Sequence, residues 1–314
     1  MADAVKIAFE ECPDLPYLPE LPARGSYAAM IGRSTALLAG LAVDLHPAGW
    51  RLTDGSGRDH RLAIATLRSD LDLLEEHAQG YAGPVKYSVA GPWTLAASME
   101  RPRGDRVLAD SGARRDLGQS LTEGIAELAA EMRRRLPGAT PLIQLDEPLL
   151  PAVLAGSVPT ASGLSRHRAI EVPEVSTTLS QLVERLRGAD IDVLVHCCAA
   201  DPPVDLLRSA GAHGVLVDLN QLGPAEWDAI GPALEAGWQV GLGVLPTNRL
   251  ALTADQLARR VLPPLRDLGV DAERSGQLML TAACGLASAA RTEAIGALRA
   301  LRSAADIVSE QLAS

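Results

Sequence analysis

Aromatic side chains are scarce in this chain: one Phe, four Tyr and four Trp in 314 residues. A core of any size must therefore be built from Leu, Val, Ile and Ala, and a hydrophobic content of 47% with 22% charged residues supplies one, which is globular composition. Positive charge is also short. Only 29 Lys and Arg stand against 39 Asp and Glu, a formal net charge of -10, which argues against nucleic acid or an anionic membrane as partner, because both require a positive field. No apolar run approaches the roughly 20 residues that span a bilayer. The opening MADAVKIAFEECPDLP lacks the charged-then-apolar order of a signal peptide, and a cytoplasmic protein is expected. Cysteine is sparse too: Cys12, Cys197, Cys198 and Cys284. Four thiols, two of them adjacent, make a poor disulfide framework, which leaves metal binding or simple burial.

What is present is an alternation. Short β-branched runs near 50–53, 85–90, 141–145, 191–196, 214–218, 239–244 and 277–281 are separated by stretches of helical periodicity at 58–78, 106–136, 176–187, 225–236, 253–268 and 287–312. Seven strands with crossover helices predict an α/β protein, a (β/α)8 TIM barrel lacking its first strand, since residues 3–11 read as a helix. A doubly wound open sheet is the alternative. No linker divides the chain, so 1–314 is read as a single domain. The segment 156–175 has no clear pattern, and a loop of that length in a compact barrel is more often functional than idle.

The polar motifs fall where apolar strands end, the rim on which barrel active sites are assembled. In Val193-Leu194-Val195-His196-Cys197-Cys198 the side chains alternate between faces, so His196 and Cys198 point one way and Cys197 the other. That H-x-C pair is aligned for one metal, although a buried histidine beside buried thiols is an ordinary core feature too. Cys284 closes a second strand and is followed by Gly285. Asp218 closes the strand between them and offers either an oxygen ligand or a loop cap. In Gln144-Leu145-Asp146-Glu147-Pro148 two acids stand at a strand end, suited to an amino-acid ammonium or to acid–base work, or else to the start of a helix.

Taken in order, G-P-x-T at Gly91 to Thr94, Q-x-D-E-P at Gln144 to Pro148, H-x-C at His196 and Cys198 and C-G-L at Cys284 to Leu286 resemble the catalytic domain of cobalamin-independent methionine synthase. The resemblance runs from about Trp50 to the last helix and matches a short, one-domain branch. It implies a TIM barrel that binds Zn2+ through His196, Cys198, Cys284 and an acid at or near Asp218, where the family has glutamate. It implies homocysteine as the thiol substrate, with Asp146 at its amino group and Gln144 and Glu147 beside it, and a methyl donor: a folate, a corrinoid protein or another activated compound. The expected activity is zinc-dependent S-methyl transfer yielding methionine.

Two departures bear on that activity. The family's first strand carries G-S-x-P, and no such strand precedes Asp3, so either the chain is truncated at its start or the barrel is open there. Where the family has D-x-H-S, with a histidine that helps to protonate the folate leaving group, this chain has Leu245, Pro246 and Thr247. Lys86, His167 and His213 are the candidate substitutes. A corrinoid leaving group needs no proton, so the loss favours such a donor. The competing readings are a zinc or thiol-ligand binding relative without activity, and a metal-free decarboxylase-like barrel enzyme resembling uroporphyrinogen decarboxylase.

Overall fold

A computed structural model describes residues 1–313. Its frame is a sheet of six parallel strands in sequence order, β3 (Gly83–Ala90), β4 (Ala139–Asp146), β5 (Asp192–Cys197), β6 (Gly214–Asp218), β7 (Gln239–Leu245) and β8 (Leu278–Ala282). Helices cross between successive strands, as parallel pairing requires. The strand expected at 50–53 is real but lies elsewhere: β2 (Gly49–Thr53) pairs antiparallel with β1 (Ala42–His46) in a separate two-stranded sheet. Only Pro47 and Ala48 separate the paired ends His46 and Gly49, so this run closes a hairpin and does not join the large sheet. The described structure is thus a six-stranded, curled part of a barrel and not a full ring of eight.

The edge of β3 is met by the chain's opening segment. Lys86 N donates to Pro16 O at 2.9 Å and Leu18 N donates to Lys86 O at 3.1 Å, a single parallel bridge centred on Tyr17. Pro13, Pro16, Pro19 and Pro22 recur at every third position here, and since proline has no N–H the pairing stops after one bridge. The first helix (Ala2–Glu11) leads into this segment, and the buried Glu11 carboxylate accepts from Arg299 Nη2 at 2.7 Å on the last helix, Arg291–Leu312. The first and last helices are thereby joined across the side where the strand order is interrupted.

Alternation along the strands sorts two cores. Leu142, Leu194 and Leu216 face the concave interior, where Leu15 and Met279 join them. Their neighbours Ile143, Val193, Val195, Val215 and Val217 belong to the larger cluster shared with the helices. Each buried Leu contributes about 2 kcal/mol. Above the leucine layer the inward positions turn polar, to Gln144, Asp146 and His196 at the carboxyl ends of β4 and β5.

Helix starts follow local chemistry. The helix expected from 106 begins at Ser111, because Asp110 accepts from Ala113 N at 2.8 Å and caps it. The helix expected from 176 begins at Val172, with Pro173 fixed in its first turn, so the unpatterned stretch shortens. Within it, Pro159 and Arg166 form an antiparallel bridge. No described helix is long and apolar enough to cross a membrane.

Candidate functional site

Strand register builds the site. Asp146 is the partner of His196 across β4 and β5, and Ala90 at the end of β3 is the partner of Asp146. Cys284 follows β8, whose end is brought close by Gly243. A Cβ at that glycine would stand 2.6 Å from Ala283 Cα and 2.9 Å from Val217 O, so only glycine permits the approach. Curling of the sheet does the rest. His196 Nε2 lies 3.4 Å from Ala283 O, and Cys198 Sγ lies 3.9 Å from Cys284 Sγ, although 86 residues separate the two cysteines. Cys197, on the opposite face as its parity requires, is fully buried.

The sulfur pair shares a proton. Cys198 donates to Cys284, and that bond, helped by the Gly285 amide, holds the Cys284 thiol down at about 6 while Cys198 is pushed up. Burial opposes charge on His196, yet the hydrogen bond and charge of Asp146 outweigh it and raise the imidazole above its ordinary value. The Asp146 contact is 3.1 Å, from Oδ1 to His196 Nδ1. Gln144 Nε2 donates to the same oxygen at 2.7 Å, and Lys86 Nζ donates to Gln144 Oε1 at 2.6 Å.

Glu147 points the other way from Asp146 and meets the G-P-x-T motif. Its Oε1 accepts from Trp93 N at 2.9 Å, and its Oε2 accepts from Thr94 N and Thr94 Oγ1, both at 2.7 Å. Glu147 is completely buried, and burial pushes its pKa up to about 7 against those three donors. A Cβ on Gly91 would stand 2.3 Å from Glu147 Oε1. Two motifs that are separate in sequence therefore form one clamp.

Asp218 closes β6, and its Oδ1 accepts from Asn220 N at 2.9 Å and Asn220 Nδ2 at 2.8 Å, so its carboxylate caps the turn Leu219–Gln221. Among the described residues no group of three or more His, Cys, Asp or Glu side chains is gathered at metal-holding distance. The structure brings Asp146 to His196 and Cys198 to Cys284, and it does not bring Asp218 to either pair.

Of the three candidate acids, His213 sits at the opposite rim, accepting from Val193 N at 3.0 Å beside Asp192, and His167 lies against Asp105. Lys86 alone joins the site's network. Sequence reasoning missed Glu20, placed between Pro19 and Leu21 beyond the Tyr17 bridge. Burial pushes its pKa up to about 7; Arg33 opposes this, and Asp146 and Cys284 reinforce it. Its Oε1 is buried without a hydrogen-bond partner. A lone acid in a proline-spaced stretch gives no periodic signal, so only the fold reveals it.

The donor types, two thiols and an imidazole, are ones that zinc takes, although no three of them are gathered at metal-holding distance among the described residues. Two sulfurs bound tetrahedrally to one zinc at 2.3 Å lie about 3.8 Å apart, close to the separation found here. An imidazole whose other nitrogen is held by a carboxylate is the usual form of a histidine ligand.

Among solved structures, the chain is similar to a B12-independent methionine synthase from Shewanella sp. W3-18-1 in complex with selenomethionine. The two share 18% identity over 78% of this chain and 67% of that one, with a TM-score of 0.54, a likeness of fold. A prolidase complexed with N-methylphosphonate-L-proline follows at 15% identity over 79% of this chain and 68% of that one, with a TM-score of 0.32, too low to carry an argument. No curated protein matches the chain. The sequence profile described as "Cobalamin-independent synthase, Catalytic domain" matches residues 79–307, from before β3 into the last helix and so across every strand-end motif above: the chain belongs to that family.

Proposed function

We propose that this protein is a zinc-dependent S-methyltransferase whose acceptor is homocysteine and whose product is methionine. The observation that carries this reading is the sulfur pair, 3.9 Å apart at a strand-end rim and next to a carboxylate-held imidazole. His196, Cys198 and Cys284 would hold the metal, and Asp218 would join them only by releasing Asn220. Zinc held there supplies a Lewis acid that keeps an incoming thiol ionised at neutral pH.

The remaining tasks fall to the chain's own side chains. Asp146 spends Oδ1 on Gln144 and His196, which leaves Oδ2 for the substrate ammonium. Glu20, raised to about 7 by burial and by the nearby negative charge of Asp146 and Cys284, has the electrostatics of a site awaiting a cation. Glu147 acts from behind, fixing the strand end that carries Asp146. In the transfer the substrate sulfur forms a bond to the methyl carbon while the donor departs with the electrons of the broken bond.

Leu245, Pro246 and Thr247 offer that donor no proton, so a corrinoid, which leaves without one, suits the site better than a folate amine. The test is elemental analysis of the purified protein followed by turnover of homocysteine with methylcobalamin and with methyltetrahydrofolate. About one zinc per chain, and methionine formed from the corrinoid, is the expected result. A folded protein that neither contains nor takes up zinc would overturn the metal reading, and robust turnover with the folate alone would overturn the choice of donor.

A further inference from the structure

A lysine ammonium only donates hydrogen bonds, and an ionised carboxylate only accepts them. Gln144 sits between one of each. Lys86 Nζ is 2.6 Å from Gln144 Oε1, which fixes the amide oxygen toward β3, and Gln144 Nε2 is 2.7 Å from Asp146 Oδ1. The amide, like the imidazole at the end of the row, can point either way, and both neighbours of the amide select the same orientation. Asp146 Oδ1 is then an acceptor, so the hydrogen at its 3.1 Å contact with His196 belongs to Nδ1. In the neutral ring the single hydrogen is contested, because Nε2 faces another acceptor, the Ala283 carbonyl oxygen, at 3.4 Å; the shorter bond to the charged carboxylate holds it on Nδ1 and leaves Nε2 bare.

Lys86 is held for the task. Its backbone carries both hydrogen bonds of the Tyr17 bridge, and its ammonium stands 5.6 Å from the centre of the Tyr17 ring. Gln144 and Asp146 are both buried, so neither readily exchanges its partner for water.

We propose that Lys86 is a positioning residue which, by anchoring the Gln144 amide, locks Asp146 and so sets the tautomer and ring orientation of His196. It touches neither substrate nor metal. The proposal deepens the zinc reading above and rests on it for its use, but not for its geometry.

The experiment compares wild type with Lys86→Met, Gln144→Met and the double variant. In metal-free protein under alkaline conditions, nitrogen NMR of the His196 ring reports the tautomer directly. Zinc affinity is measured in parallel by competition with a chelator. A single Nδ1–H form in wild type that becomes a mixture in both single variants supports the proposal. So does a loss of zinc affinity of about ten- to a hundredfold in each, as for other groups that orient a ligand, with the double variant no weaker than the singles because the residues act in series. An unchanged tautomer in both single variants, or losses that add in the double, overturns it. Gln144→Met keeps the question open to test should Lys86→Met fail to fold. Wild type that binds no zinc would remove the function proposed above, and the tautomer measurement would still decide this one.

Discussion

Cys198 Sγ and Cys284 Sγ lie 3.9 Å apart with one proton between them, and the two thiols consequently titrate as a pair. The ordinary thiol value is 9.0, and Cys284 is held at about 6 chiefly by the hydrogen bond from Cys198. In metal-free protein Cys284 should therefore be mostly thiolate at pH 7 and alkylate with a midpoint near that lowered value. Cys198→Ala should move the midpoint back toward the ordinary thiol range. Rates of iodoacetamide labelling against pH, read by mass spectrometry, measure both; equal profiles in the two proteins would contradict the shared proton.

Asp218 is engaged by Asn220, whereas Cys284 is engaged by the other sulfur. Asp218→Ala should consequently retain most of the zinc affinity, while Cys284→Ser should lose nearly all of it. Chelator competition ranks the two, and the opposite order would make the aspartate a principal ligand.

The clamp between Gly91 and Glu147 predicts a stability effect with little change in secondary structure. Gly91→Ala inserts a methyl group into the space of the Glu147 carboxylate and should cost about 1–3 kcal/mol. Glu147→Ala leaves the Trp93 amide and both Thr94 donors unsatisfied and should cost about 3 kcal/mol or more. Urea denaturation of each variant is the measurement.

Glu20 gives the molecule a pH dependence of definite sign. Its folded pKa of about 7 lies above the ordinary 4.5, so between these values the folded state binds more protons than the unfolded state. Stability should then be full below 4.5 and decline as pH rises through 7, by at most about 3 kcal/mol from this group. Glu20→Gln should flatten that decline in denaturant melts across the same range. Homocysteine, by placing an ammonium beside the carboxylate, should flatten it in wild type.

How much of this could be read from the sequence depends on whether the signal was local. All six strands of the parallel sheet were legible, since each is an apolar run of the right length, whereas the short helix Val204–Ser209 between two of them was not. The destination of Gly49–Thr53 was not, because the same β-branched run serves a hairpin or a barrel strand and only its partner decides. Parity along 193–198 separated Cys197 from His196 and Cys198, and the buried Cys197 agrees. Sequence could not show that Glu147 turns away from Asp146 to hold Thr94, since adjacent acids at a strand end look alike until their neighbours are in place. Lys86 could be named from the sequence only as one of three candidate acids, because its partner Gln144 lies 58 residues away.

The prolines at 13, 16, 19 and 22 have a consequence beyond stopping one strand. A sheet edge is a template on which any extended chain can grow, and the bridge at Tyr17 covers the β3 edge at only one place. What covers it is backbone stripped of donors at every third residue, which gives a newcomer no continuous ladder to pair with. Along this border the protein is guarded against its own copies by the hydrogen bonds that the covering segment is unable to make.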